Sequence, residues 1–172
     1  MFLRNLLNFI SQLLEDINKQ IKNIYLNSSF YNKKISTIEN EELIYKPSPH
    51  LLSSLIKYQT QKINVNNISA ENLWENENIN SKNFKRLNNF YWFFTLDLKS
   101  SKKNTQKIIY DWINKNYKYN SKSWEFDLTS KRIIAWLSSH KLTIEESDRD
   151  YLNLFNEMIK KQTNHLMSEI NN

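Results

Sequence analysis

The chain has 172 residues, of which 24 are Lys or Arg and 18 are Asp or Glu, giving a formal net charge of +6. A chain of this length is the size of one domain and can bury roughly 70% of its unfolded surface. It contains no Gly and no Cys, which excludes disulfides, thiolate metal sites, cysteine nucleophiles and glycine-rich phosphate loops. The basic residues are scattered among acidic ones, so the charge predicts a solvated surface and no nucleic-acid partner.

The first predicted element is an amphipathic helix over residues 1–26. Its apolar side chains alternate steps of four and three, which is the spacing of a helix that lies against another helix. They are Leu3, Leu7, Ile10, Leu14, Ile17, Ile21 and Ile24. Two interpretations stay open: a helix docked on its own domain, which the mixed charge of the polar face favours, and a helix that forms a coiled coil with a partner or lies on a membrane surface.

Polar residues break the apolar stretch near the N-terminus, and no small-residue cleavage site follows it, so we expect no signal peptide. No apolar run reaches the length of a membrane span either. The default expectation is therefore an unexported, cytoplasmic chain without a membrane-spanning segment.

The sequence pattern of residues 27–83 predicts one helix and an Asn-rich connection. Residues 27–46 lose the helical period, and Ser48 with Pro49 then begins a helix that continues to Tyr58. From residue 64 to residue 83 the pattern is that of a surface connection, anchored at Leu73 and Trp74.

Residues 84–172 begin with a run of aromatic residues and continue with three stretches of helical periodicity. The aromatic run from Phe84 to Phe94 is apolar on all sides, which predicts burial. Three helices follow, over about residues 102–116, 128–139 and from 143 onward. Asp127 or Thr129 is predicted to cap the second of these, and Thr143 with Glu146 has the spacing of a capping box for the third. The last helical pattern reaches Asn172 without a stop signal, so we expect an all-α chain that is cut short.

No set of residues specifies a catalytic or metal site by itself. His50, His140 and His165 are far apart in the sequence and are interpreted as surface or helix-end histidines, so we expect no metal. No serine has the glycines of a nucleophile elbow, and the acidic pairs are explained by helix starts. We therefore predict no catalytic residue and no cofactor.

Two residues are candidates for contact with a glycan. Trp124 lies in a polar turn, where its ring is placed to stack on a sugar rather than to fill a core. Arg132 stands out in a chain whose basic residues are mostly Lys, because a guanidinium binds carboxylate or sulfate bidentately. An ion pair within the chain is the alternative interpretation of Arg132.

The stretch from Arg86 to Trp136 resembles the helical N-terminal region of heparinase II/III-like polysaccharide lyases. The matching segments are Arg86-Leu87-Asn88-Asn89-Phe90-Tyr91-Trp92-Phe93-Phe94, then Trp112-Ile113, then Trp124 with Ser130, Arg132, Ile133, Ile134 and Trp136, and a run of Gln162, Leu166 and Glu169. The chain departs from the family pattern in having Phe90 where a histidine is usual, and in lacking the proline that usually precedes Ser130.

The resemblance implies antiparallel helix pairs that form part of an incomplete α/α toroid. In complete relatives, which are often exported, the rest of the toroid and a β-sandwich follow, and a cleft between them cleaves uronic-acid polysaccharides by β-elimination. The partners implied are thus an acidic polysaccharide and the missing C-terminal portion, whose Asn, Tyr and His perform the catalysis. The resemblance adds Asn88 and Tyr91 to the candidate substrate-binding residues. The other hypothesis is an all-α interaction module that uses the stripe from Leu3 to Ile24.

Overall fold

The computed structural model describes residues 2–37, 74, 81–96 and 101–170. Within these ranges the chain is all-helical and has no strand, as the sequence predicts. The helices are α1 (Phe2–Leu26), α2 (Ser29–Ser36), α3 (Ser81–Asn88), a short 3-10 helix (Tyr91–Thr95), α4 (Lys102–Lys115), α5 (Phe126–Ser138), α6 (His140–Thr143) and α7 (Arg149–Ile170). The predicted helix beginning at Ser48, His50 and most of the predicted connection from residue 64 lie outside the described residues.

Helix α7 lies at the centre of the fold. It packs against α2, α4 and α5, and α5 also contacts the 3-10 helix and α3. Each of these helices contributes side chains at helical spacing to one continuous core. The fully or nearly fully buried members include Ile108, Ile109, Trp112 and Ile113 of α4, Ala135 and Trp136 of α5, and Tyr151, Phe155, Met158 and Ile159 of α7.

The predicted aromatic cluster forms around Phe90. Its ring lies with centroids 5.1 to 6.0 Å from those of five aromatic neighbours, which are Trp74, Trp92, Phe93, Trp112 and Trp136. The backbone of Phe90 is left-handed, with a φ of 57°, a conformation that costs a non-glycine residue roughly 1–2 kcal/mol. Burial of the whole ring offsets that strain in a chain that has no Gly to place there. Trp74 anchors the connection as predicted, since its indole Nε1 donates to the Ile108 carbonyl at 3.1 Å.

Helix α2 was not predicted, because residues 27–46 show no helical period in the sequence. It begins after Ser28, whose hydroxyl accepts from the Tyr31 N–H at 3.1 Å, and it buries only Tyr31 and Ile35. Two buried residues four apart are too few to produce a recognisable helical period. Two side-chain bonds to backbone hold α2 in place: Asn164 Nδ2 donates to the Ile35 carbonyl at 2.9 Å, and the Tyr119 N–H donates to Asn32 Oδ1 at 3.0 Å.

Helix α1 forms as predicted, but its apolar stripe does not dock on the described part of the domain. The side chains of this stripe from Leu7 to Ile24 are 43 to 72% exposed, and packing on the core begins only at Tyr25 and Leu26. Among the described residues, the favoured interpretation, a helix docked on its own domain, holds only for the C-terminal end of α1 at Tyr25 and Leu26. A heptad pattern specifies that a helix needs a partner, and it does not specify which chain supplies that partner.

The predicted helix caps also need correction. Helix α5 begins after Glu125, with no side-chain capping bond, so neither Asp127 nor Thr129 caps it. Thr143 lies in α6, and its buried hydroxyl donates to the Trp136 carbonyl at 2.8 Å. The cap of α7 is Asp148, whose Oδ1 accepts from the Tyr151 N–H at 2.8 Å.

We expect Asp148→Ala to lower the free energy of unfolding by about 1 kcal/mol, because it removes the acceptor for an amide at the start of α7. Asp148→Asn is the matched control and should retain most of that stability, because Asn caps helices about as well as Asp. Urea unfolding followed by far-ultraviolet circular dichroism measures both. Equal losses in the two variants would show that Asp148 acts through its charge and not as a cap.

Candidate functional site

The predicted site residue Arg132 is the centre of a buried polar network. Its side chain is 0% exposed. Nε donates to Gln162 Oε1 at 3.0 Å, Nη1 donates to the carbonyls of Asn88 and Ser123 at 2.9 and 3.0 Å, and Nη2 donates to Thr129 Oγ1 at 3.2 Å. One guanidinium thus joins α5, α7, the end of α3 and the turn before α5.

Asn88 and Trp112 complete this arrangement. The guanidinium carbon of Arg132 lies 4.0 Å from the centroid of the Trp112 ring, within the range of a cation–π contact. The indole Nε1 of Trp112 donates to Asn88 Oδ1 at 2.8 Å, and Asn88 Nδ2 donates to the Phe84 carbonyl at 3.0 Å. Both polar ends of the 4% exposed Asn88 side chain are therefore engaged within the protein.

The acceptors around Arg132 in the described part of the chain are all neutral oxygens, so the predicted ion pair is not what holds it. Burial lowers the pKa of the Arg132 guanidinium. The carbonyl acceptors and the face of Trp112 favour the protonated form, because each interacts more strongly with a cation. A guanidinium whose three nitrogens all face the interior cannot bind a carboxylate or sulfate arriving from solvent.

Trp124 is also interior, which corrects its interpretation as a groove residue. Its side chain is 0% exposed, and its indole Nε1 donates to the Asn116 carbonyl at 3.0 Å. The turn that carries it is polar because Lys122 and Glu125 are exposed, while the ring between them points into the core. The polarity of neighbouring residues was therefore a poor guide to where this ring lies.

His165 was interpreted as a surface histidine and is instead 2% exposed. One ring nitrogen, Nε2, lies 3.0 Å from the Trp124 carbonyl, and the other, Nδ1, lies 2.6 Å from the Tyr31 hydroxyl. A carbonyl only accepts, so in the neutral ring Nε2 carries the proton and Nδ1 accepts from Tyr31. This bond connects α2 to α7.

A tyrosine next to a histidine raises the question of proton transfer, since both are residue types that serve as general bases. Burial raises the pKa of Tyr31 to about 12 and lowers the pKa of His165. Tyr31 is 0% exposed, so neither group meets a substrate in this conformation. The pair therefore connects helices and has no access for catalysis.

Tyr91 is the one predicted substrate-binding residue that reaches the surface in the described structure. It lies at the start of the 3-10 helix and is half-buried, with its N–H bonded to Asn89 Oδ1 at 2.9 Å. The ammonium of Lys131 lies 6.0 Å from the centroid of its ring. Of the four predicted site residues, Asn88 and Arg132 are in direct contact, Trp124 follows Ser123 in the same network, and Tyr91 lies outside it.

Gln162 and His165 are buried polar residues, a role that was not predicted for them. Both lie on the face of α7 that carries Phe155, Met158 and Ile159, at the helical spacing of three and four. That spacing was a usable signal, because a polar residue in the middle of an apolar stripe is buried and must find a hydrogen-bond partner.

Within the described ranges, no group of three or more His, Asp or Glu side chains is placed to hold a metal ion. No helix in those ranges is both long enough and apolar enough to cross a membrane.

Comparisons of the chain with protein-family models, with curated proteins and with solved structures give no match.

We expect Arg132→Met to lower the free energy of unfolding by about 3–5 kcal/mol. It leaves the carbonyls of Asn88 and Ser123 and the amide oxygen of Gln162 buried without a donor, at roughly 1–3 kcal/mol each. Arg86→Met is the matched control, because Arg86 is an exposed helical arginine, and it should change stability by no more than about 0.5 kcal/mol. Urea unfolding measures both. A loss below about 1 kcal/mol for Arg132→Met would contradict the assigned network.

We expect stability to fall as the pH is lowered from about 7 to about 5, in a way that depends on His165. The folded pKa of His165 lies below its ordinary value of 6.5, because burial outweighs the bond to Trp124 and the charge of Glu169, while Lys22 and Arg132 lower it further. The unfolded chain therefore takes up the proton first, and the stabilisation present above pH 6.5 is lost below it. Urea midpoints across this range should vary less in His165→Gln. An unchanged pH dependence in that variant would exclude His165 as the cause.

Proposed function

We propose that the chain is an N-terminal helical segment of a heparinase II/III-like polysaccharide lyase, in which it forms part of an α/α toroid and is inactive alone. One observation carries the proposal: seven of the residues on which the resemblance rests lie in or beside the buried contacts around Arg132 and Phe90, while others, such as Arg86 and Tyr91, reach the surface. The seven are Asn88, Phe90, Trp112, Trp124, Arg132, Trp136 and Gln162, all of them less than 5% exposed. Residues that mark a family and meet in the interior are those that its common fold requires.

In this proposal the segment supplies scaffold. Asn88, Trp124 and Arg132 hold α3, α5 and α7 together and do not touch the polysaccharide. The packing of α4 and of α5 against α7 supports helix pairs of the kind a toroid repeats. The neutralising Asn and the Tyr and His of the β-elimination are supplied by the missing C-terminal toroid and β-sandwich.

Tyr91 remains the candidate contact for an acidic polysaccharide. Its half-buried ring offers a face for a sugar, and the Lys131 ammonium nearby offers a charge for a uronate. Lys131 also forms an ion pair with Asp127 at 2.7 Å, so the charge available to a ligand is partly neutralised.

The test is to sequence the reading frame beyond Asn172 and to express the whole product. We expect further helices and a strand-rich region, and we expect the whole product to form unsaturated uronates from an acidic polysaccharide, detected by ultraviolet absorbance. The 172-residue chain should form none, because this proposal assigns the groups that abstract and donate protons to the C-terminal portion. A natural product that ends at Asn172 and folds stably without binding an acidic polysaccharide would overturn the proposal.

In the whole product, Tyr91→Ala should raise KM roughly 3- to 10-fold, the effect of losing about 0.5–1.5 kcal/mol of ring contact. Tyr110→Ala is the matched control, since Tyr110 is a 45% exposed tyrosine on α4, and it should leave KM unchanged.

A second candidate function is helix docking through α1. The exposed apolar side chains between Leu7 and Ile24 favour it, since a patch of this size on a folded chain marks an interaction surface. Here the chain serves as an interaction module, whether or not further domains follow it.

A further inference from the structure

The apolar stripe of α1 is the largest feature that the lyase proposal does not use. Eight large apolar side chains of this helix are 43 to 72% exposed: Leu7, Phe9, Ile10, Leu13, Leu14, Ile17, Ile21 and Ile24. Together they leave on the order of 500 Å² of apolar surface in water, near the upper end of what a typical monomer shows. With the polar residues beside them they approach the roughly 800 Å² that each partner contributes to a standard interface.

The register of the stripe is that of a heptad repeat without interruption. Leu7, Leu14 and Ile21 occupy position a, and Leu3, Ile10, Ile17 and Ile24 occupy position d. No polar residue interrupts either set. A helix face with this register packs by inserting each side chain between four residues of a facing helix.

The positions that flank the stripe carry no charge from Leu7 to Ile24. Positions e are Ser11 and Asn18, and positions g are Leu13 and Gln20. The charged residues of this part of the helix, Glu15, Asp16, Lys19 and Lys22, fall at b, c and f, away from the seam. Charges at e and g are what select a different partner and repel an identical one, so their absence leaves the stripe compatible with a copy of itself.

The identities at a and d from Leu7 to Ile24 indicate the number of copies. Leu at a with Ile at d in the first two heptads, and Ile at both positions in the third, disfavour two strands in a parallel coiled coil and favour three or four. Leu13 at g widens the apolar face, as a bundle of more than two helices requires.

We propose that α1 assembles with further copies of itself into a parallel bundle of three or four helices. This rests on the second candidate function, helix docking, and is independent of the lyase proposal. The body of each chain attaches at the C-terminal end of α1, where Tyr25 and Leu26 join the core and Lys22 Nζ contacts Glu169 Oε2 at 3.1 Å. The seven turns of α1 give an arm of roughly 37 Å, long enough to keep the bodies at one end of the bundle.

Sedimentation equilibrium of the whole 172-residue chain tests the proposal. We expect a trimer or tetramer, and we expect Leu14→Asp to raise the dissociation constant at least 100-fold because it places a charge in the seam. Gln12→Asp, at position f on the opposite face, is the matched control and should leave the assembly intact. Leu14 is 55% exposed in the single chain, so its replacement does not disturb the folded body. A monomer at several hundred micromolar, or an assembly that withstands Leu14→Asp, overturns the proposal.

The number of copies is tested by exchanging the residues at the two seam positions. Replacing Leu7 and Leu14 by Ile, and Ile10 and Ile17 by Leu, creates the pattern that favours dimers, so the assembly should become smaller. A natural chain that is already dimeric would overturn the inferred order.

Hydrogen exchange of the α1 amides distinguishes two outcomes: that α1 does not self-assemble, and that α1 does not dock on any partner. In self-assembly, protection of these amides rises with protein concentration. A monomer with unprotected amides overturns self-assembly and leaves docking to another protein in place. A monomer whose α1 amides are protected at every concentration overturns both, because the stripe is then covered within the chain.

Discussion

The fold depends on the buried guanidinium of Arg132, whose hydrogen-bond partners are neutral. Arg132 replaces its hydration shell with oxygen atoms from α3, α5, α7 and the turn that carries Ser123, and it rests on the face of Trp112. A buried charge is stable only when nearly every donor is satisfied, so each of these oxygens must lie close to its present position. This requirement fixes the distances between helices more strictly than apolar contact does, because apolar side chains can repack.

The absence of glycine shapes how the chain turns. In the part of the chain that the structure describes, two residues, Phe90 and Glu146, have left-handed backbones with φ of 57° and 60°. Phe90 is held there by complete burial of its ring, and the Glu146 carboxylate accepts from Lys102 Nζ at 2.6 Å on the surface. Burial of the Phe90 ring thus offsets the strain that a glycine would avoid, whereas the exposed ion pair of Glu146 contributes little to stability.

The sequence predicted the helices with long apolar stripes well. It placed α1, α4, α5 and most of α7, because each repeats its apolar residues over three or more turns. It missed α2, in which only Tyr31 and Ile35 are buried, and it placed the start of α7 too early because Thr143 with Glu146 imitates a capping box.

Among the site residues, the sequence identified Arg132 as unusual but did not predict whether its side chain points to solvent or to the interior. Whether an arginine faces water or the interior depends on acceptors such as the Asn88 carbonyl, which lies 44 positions away in the chain.

The bond between Tyr31 and His165 has a mechanical consequence for α1. Helix α2 follows α1 directly, and it is fixed to α7 through this bond and through the Ile35 carbonyl. The orientation of α1 relative to the body is therefore determined by the packing of α2 on α7, because the apolar side chains of α1 from Leu7 to Ile24 are exposed. Protonation of His165 would reverse the donor and acceptor of this bond, because Nδ1–H can donate to the Tyr31 hydroxyl while that hydroxyl donates to Ser168 Oγ, 3.0 Å away. The attachment of the arm to the body therefore depends on this cluster of three side chains and not on a single donor.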